Sequence, residues 1–110
     1  MREIILTQDQ VDTFHRDGYV VVRQLIPKEM VVELVRDYDR AARGEFDVPA
    51  WKNRIATGKT LQLGNPSLNI PGWEDHEYRH RIVQIGKELL GEDIDYRYDQ
   101  LIYKPPHSPV

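Results

Sequence analysis

No cysteine occurs in the 110 residues. That excludes a disulfide framework, a thiolate zinc site and a cysteine nucleophile, and it fits a reducing cytoplasm. Long apolar runs are also missing. The opening Met1-Arg2-Glu3-Ile4-Ile5-Leu6 has too short an apolar stretch for a signal peptide, and nothing later approaches membrane-spanning length, so a cytoplasmic location is expected. Lys and Arg nowhere cluster among aromatic residues. The formal charge of −3 mixes both signs along the chain, leaving no electrostatic footprint for nucleic acid. A small-molecule substrate is the expected kind of partner, with neither nucleic acid nor membrane involved.

What is present is enough for one domain, or part of one, with a modest core and a well-solvated surface, since 30% of the residues are charged. Thr7-Gln8-Asp9-Gln10 reads as a capping box, with Leu6 and Val11 as its staple, and predicts a helix from Gln8 that Gly18 ends. Tyr19-Val20-Val21-Val22-Arg23 is β-branched and aromatic and predicts a strand buried on at least one face. Pro27 precedes a second helix over about Lys28 to Arg43, where Val31, Leu34, Val35, Tyr38, Ala41 and Ala42 keep helical spacing until Gly44. From Glu45 to Trp73 the periodicity is lost, apart from a short strand expected at Thr60-Leu61-Gln62-Leu63. An irregular stretch of this length either lines a binding site or is a surface connection. Asp75 is the expected cap of a third helix, striped by Tyr78, Ile82, Val83, Gly86, Leu89 and Leu90 and ended by Gly91. A strand from about Asp95 to Lys104 follows, and Pro105-Pro106 forbids its continuation in a central ladder. The order is helix, strand, helix, irregular, helix, strand, which predicts an α+β fold with helices on a mainly antiparallel sheet.

His76-Glu77-Tyr78-Arg79-His80 matches the H-E-x-x-H zinc-protease pattern, in which two histidines one helical turn apart hold zinc and the Glu activates a bound water. The extended motif fails, because Val83 and Gly86 stand where a glycine and a third histidine are required. Glu88 and Glu92 belong to the same helix or its end and are poorly placed to complete a tetrahedron. A solvated polar face accounts for His76 and His80, and a zinc hydrolase is the least favoured reading. His15 reads as a boundary or surface residue. His107 lies in a stiff Pro-Pro-His-Ser-Pro segment with no carboxylate two residues on, so it is not part of a His-x-Asp.

Three stretches taken in order carry a resemblance: Leu6 to Val22, with Asp17-Gly18-Tyr19 between helix and apolar strand; Leu25-Ile26-Pro27 ahead of a long helix; and Asp99-Gln100-Leu101-Ile102-Tyr103-Lys104-Pro105-Pro106-His107-Ser108. Together they resemble the phytanoyl-CoA dioxygenase family. The resemblance implies the N-terminal helices and first strands of a double-stranded β-helix (jelly-roll) oxygenase. It also implies Fe(II) held by two histidines and one carboxylate, with 2-oxoglutarate as co-substrate and a small organic substrate. Hydroxylation is the expected outcome, with the carboxylate-free ligand set of related halogenases left open. The family's His-x-Asp, distal His and 2-oxoglutarate-binding basic residue would all follow Val110. Residues 1–110 are therefore expected to be the N-terminal part of one such domain, inactive alone, holding neither iron nor 2-oxoglutarate tightly, and able to associate through unpaired strand edges.

No metal ligand is assigned within the chain. The resemblance carries one cofactor contact onto Gln100, with Gln62 as a less direct second. Alternation places Tyr98, Gln100 and Ile102 on one strand face and Arg97, Asp99, Leu101 and Tyr103 on the other. A buried amide requires partners that a carboxylate would satisfy, while the bland alternative is a Gln facing solvent or bonding a neighbouring strand. Lys104 reads as solvated. Trp51 and Trp73, flanking the irregular region, either wall a substrate pocket or anchor a loop by burial. The competing reading from another class is a small noncatalytic α+β interaction domain.

Overall fold

The Thr7 side-chain oxygen accepts the Gln10 backbone N–H at 3.1 Å, and the Gln10 side-chain oxygen accepts the Thr7 N–H at 2.9 Å. This reciprocal pair satisfies two backbone donors that helix geometry leaves without partners. Helix α1 (Gln8–Asp17) grows from it in the computed structural model, which describes residues 3–51 and 61–107. Gly18 ends the helix at φ 85°, a left-handed conformation that a side chain would strain, and donates its N–H to the Phe14 carbonyl. The chain forms two compact units, one from Met1–Pro27 with His76–Tyr96, the other from Lys28–Asp75 with Arg97–Val110.

In the first unit the second helical element is α4 (Glu77–Leu90), numbered in chain order. Its cap is His76, not Asp75 as expected. His76 keeps an extended backbone, and its Nδ1 accepts the Tyr78 N–H at 3.1 Å, so the imidazole does what a carboxylate one residue earlier was expected to do. The α4 stripe is less covered than the spacing suggested, since no α4 residue is fully buried and Ile82 and Leu90 are 43% and 62% exposed. Gly86 has a packing reason: a Cβ there would lie 2.7 Å from the Ile94 side chain, so the segment after the helix closes onto it. Arg81 donates to the Leu25 carbonyl and pairs with Glu77 at 3.0 Å one turn away, holding the chain after α1 against α4.

The run Tyr19 to Arg23 corrects an expectation. It is not a strand: Tyr19 to Val22 alternate exposed and half-buried, as a strand would, yet join no ladder. A turn at Arg23 and Gln24 follows, with Gln24 at φ 54°. β-propensity reports fitness for a pleated surface, and without a neighbouring strand it forms no ladder.

In the second unit α2 (Lys28–Ala42) ends in a left-handed Gly44 at φ 77°. The Gly44 N–H reaches the Ala41 carbonyl and the Glu45 N–H the Arg40 carbonyl, the doubled closure typical of such ends. Arg43 and Arg40 then bind the Glu45 carboxylate at 2.6 and 3.4 Å. The Arg43 bond, more than any other contact, holds this carboxyl below the ordinary Glu value. The irregular region is more structured than its periodicity suggested. Among its described residues are a 3-10 turn (Pro49–Trp51), strand β1 (Leu61–Gly64) and a one-turn helix α3 (Pro66–Asn69). Strand β2 (Gln100–Tyr103) is shorter than the predicted Asp95 to Lys104, because pairing extends only as far as β1 does. Thr60, Ser108 and Pro109, which belonged to predicted features, lie outside the described residues.

β1 and β2 form a two-stranded antiparallel sheet in the register Leu61↔Tyr103, Gln62↔Ile102, Leu63↔Leu101, Gly64↔Gln100. Leu61, Leu63 and Leu101 face a core completed by Ala41, Val48, Ile70 and the two tryptophans. Trp51 and Trp73, 1% and 7% exposed, are loop anchors: their indole N–H groups donate to the Gly64 carbonyl and the Asp37 carboxylate, both at 3.0 Å. The Tyr38 phenol donates to the Ile102 carbonyl at 2.8 Å while its ring packs on Tyr103 at 5.4 Å. Burial, then the neighbouring Tyr103 and Asp39, pushes the Tyr38 hydroxyl above its ordinary value. Among the described residues no helix is long and apolar enough to cross a membrane.

Candidate functional site

The face of the sheet opposite the core carries Gln62, Gln100 and Ile102, all exposed, as the alternation along β2 predicts. Gln62 and Gln100 sit diagonally across the ladder, and the Gln100 Nε2 donates to the Gln62 Oε1 at 3.3 Å. Both amides line a concavity of about 300 Å³ together with Trp51, Gly64, Asn65, Asn69 and Tyr98. The two residues singled out from sequence thus meet in one site. Neither is buried, so the need for a partner is met by the other strand's amide and by solvent.

The rim is built by the Gly64-Asn65-Pro66 corner. Asn65 takes a left-handed conformation, φ 53°, which Asn tolerates better than most residues, and Pro66 begins α3 where a missing N–H does no harm. The Asn65 N–H donates to the Asp99 carbonyl at 2.8 Å, continuing the ladder one pair past the strand ends. The Asp99 carboxylate accepts both the Ser67 N–H at 3.2 Å and the Ser67 hydroxyl at 3.0 Å, which locks α3 to the residue ahead of β2. Ser67 is 1% exposed and has its hydroxyl satisfied there. Asn69 closes the corner by donating to the Asn65 carbonyl at 2.8 Å.

Tyr98 lies over Gly64: a Cβ at that glycine would sit 2.9 Å from the phenol oxygen. The glycine thus admits the tyrosine into the lining. Asn65, Ser67 and Asn69 were not identified from sequence. The turn triplet Gly64-Asn65-Pro66 was the available signal, but it predicts a turn and not which groups the turn presents.

The lining is polar, uncharged and rich in amides. Side-chain amides both donate and accept, so the site is suited to a carboxylate, an amide or a hydroxyl, and among the described residues its lining holds no general base or nucleophile. The other residues considered from sequence lie elsewhere. His76 caps α4, and His80 lines a separate, larger concavity of the first unit beside Arg79 and Lys87. Lys104 is exposed, and His107 is an exposed turn residue at φ 61°. Among the described residues no group of three or more His, Cys, Asp or Glu is placed to hold a metal ion. No protein-family model, no curated protein and no solved structure matches the chain.

Proposed function

We propose that this chain supplies the N-terminal helices and first jelly-roll strands of an Fe(II)/2-oxoglutarate-dependent oxygenase of the phytanoyl-CoA dioxygenase type, a cytoplasmic enzyme acting on a small organic substrate. The observation that carries the reading is the meeting of Gln62 and Gln100 at 3.3 Å in one concavity. Gln100 is the position that the resemblance and strand alternation single out, and Gln62 is the second candidate, on the short strand leading to Gly64-Asn65-Pro66. The unpaired run Tyr19 to Val22 gives further support, since its exposure alternates as in a strand that a larger sheet would pair.

The residues present do not fit the iron, because the described side chains offer no triad to hold it. In this reading the ligands come from other residues. For 2-oxoglutarate the amide set fits a hydrogen-bonding role only. Gln100 has two amide N–H groups, of which one is engaged by Gln62, and both side chains can turn donors toward a carboxylate. Among the described residues no cationic side chain lines the concavity.

The test is to read the codons that follow Val110 in the source genome and to assay the encoded protein. A His-x-Asp shortly after the Lys104-Pro105-Pro106 segment is expected. In that protein Gln100→Ala should weaken 2-oxoglutarate binding roughly tenfold and Gln62→Ala less, as expected for lost hydrogen bonds to a charged group. Absence of any His-x-Asp, with residues 1–110 folding cooperatively as a monomer, would replace this reading with a noncatalytic interaction domain. Tight stoichiometric Fe(II) binding by residues 1–110 alone would also contradict it.

A further inference from the structure

We infer that the Tyr38 phenol and the Trp51 indole are edge guards, keeping the β1–β2 sheet from adding a strand from a second copy of this chain. The inference is argued from the ladder alone and competes with the oxygenase reading, in which a further strand would join this sheet. It rests on the parity of the ladder. The Asn65 N–H bonds the Asp99 carbonyl, so Asn65 and Asp99 form a hydrogen-bonded pair, and by alternation so do Leu63 with Leu101 and Leu61 with Tyr103. Gln62, Gly64, Gln100 and Ile102 then turn their backbone groups outward, away from the partner strand.

One outward carbonyl on each edge receives an aromatic donor. Tyr38 reaches Ile102 on the β2 edge at 2.8 Å, and Trp51 reaches Gly64 on the β1 edge at 3.0 Å. Each donor occupies a carbonyl that an added strand, about 4.8 Å away, would need for its own ladder bond. Tyr38 is braced there by Tyr103, and Trp51 by burial at 1% exposure.

Apart from their length of 4 residues, the strands carry no edge defence of their own. Leu-Gln-Leu-Gly and Gln-Leu-Ile-Tyr contain no charge and no proline, and Ile102 is 56% exposed on the open face. Shortness blunts such edges, but strands without charge or proline still offer their outward N–H and C=O groups to a copy unless something covers them. The covering groups are supplied from outside the sheet, by α2 and by the 3-10 turn.

Sedimentation velocity over a concentration series tests this, with far-UV circular dichroism to confirm folding. Tyr38→Phe keeps the ring and removes the donor, and should lower the dimer dissociation constant about tenfold relative to wild type. Adding Ile102→Lys, a charge on the exposed edge, should restore wild-type sedimentation. Folded Tyr38→Phe that sediments as wild type at every concentration would overturn the inference. Ile102→Lys alone provides an arm that does not depend on the Tyr38 variant folding. It should leave wild-type sedimentation unchanged, and any loss of self-association from that single change would show the edge already open and overturn the inference too.

Discussion

The Glu88 carboxylate accepts the Leu6 backbone N–H at 2.8 Å across 82 positions of sequence. The same carboxylate accepts the Ile5 N–H at 2.9 Å and the Gln84 amide at 2.8 Å. One side chain of α4 thereby satisfies two successive backbone donors of the segment before α1 and places Leu6, 6% exposed, in the unit's interior. Desolvation pushes this carboxyl up, but the Ile5 and Leu6 N–H groups together with Gln84 outweigh it, and its pKa lies below the ordinary Glu value.

Glu88→Ala is expected to loosen that segment. The group is half-buried, so the loss of its charge-assisted bonds should cost about 1–2 kcal/mol, below the range for a fully buried pair. Amide exchange at Ile5 and Leu6 should accelerate while exchange in the β1–β2 ladder stays unchanged. The pH dependence has a definite sign. Because the folded pKa is depressed, the contribution is present above the unfolded carboxyl value and is lost as pH falls through the folded one. Exchange protection at Leu6, corrected for intrinsic rates, should therefore fall on acidification in the wild type and show no such step in Glu88→Gln.

A second prediction separates a cap from a metal ligand. If His76 serves as the cap of α4, His76→Asn should retain stability and His76→Ala should lose about 0.5–1 kcal/mol. Chelator should leave the wild-type unfolding midpoint where it is. A zinc site built on His76 and His80 would give the opposite pattern, with Asn as damaging as Ala and a midpoint lowered by chelator.

Which parts of this arrangement were legible beforehand follows from the range of the interactions that set them. Helix starts and stops depend on neighbours within a turn, so Thr7, Gly18 and Gly44 announced themselves. Even there His76 displaced Asp75, because an imidazole at that position also reaches the second helical N–H. Strands depend on partners far away in sequence. The Tyr19 to Val22 run has the stronger β-forming composition yet stays unpaired, while Leu61–Gly64, with a glycine at its end, finds β2. The site was legible in its two glutamines, through the alternation that sets Gln100 opposite Leu101. Its rim was not, since the Ser67–Asp99 and Tyr98–Gly64 contacts depend on how the Asn65 corner turns.

Gly64→Ala should act on the site more than on stability. The added Cβ would lie 2.9 Å from the Tyr98 phenol oxygen, and Tyr98, 59% exposed, can swing away. The expected change in unfolding free energy is below about 1 kcal/mol, with the strand's gain in backbone order offsetting some crowding. Proton contacts between the Tyr98 ring and residue 64, measured by NMR, should disappear. If they persist with unchanged intensity, the backbone has moved and not the tyrosine.

Asp99→Ala should be the more damaging change, because it strips two acceptors from one buried residue. Ser67 would keep its hydroxyl and N–H at 1% exposure with neither bond to Asp99 available, and a buried donor left without its partner costs about 1–3 kcal/mol. Ser67→Ala should cost less, since it removes the hydroxyl donor and leaves the backbone bond intact. The two changes share one contact, so their effects should not add. A double-mutant cycle by urea unfolding should return a coupling of about 1 kcal/mol, whereas additive effects would mean that Asp99 holds β2 without acting through Ser67.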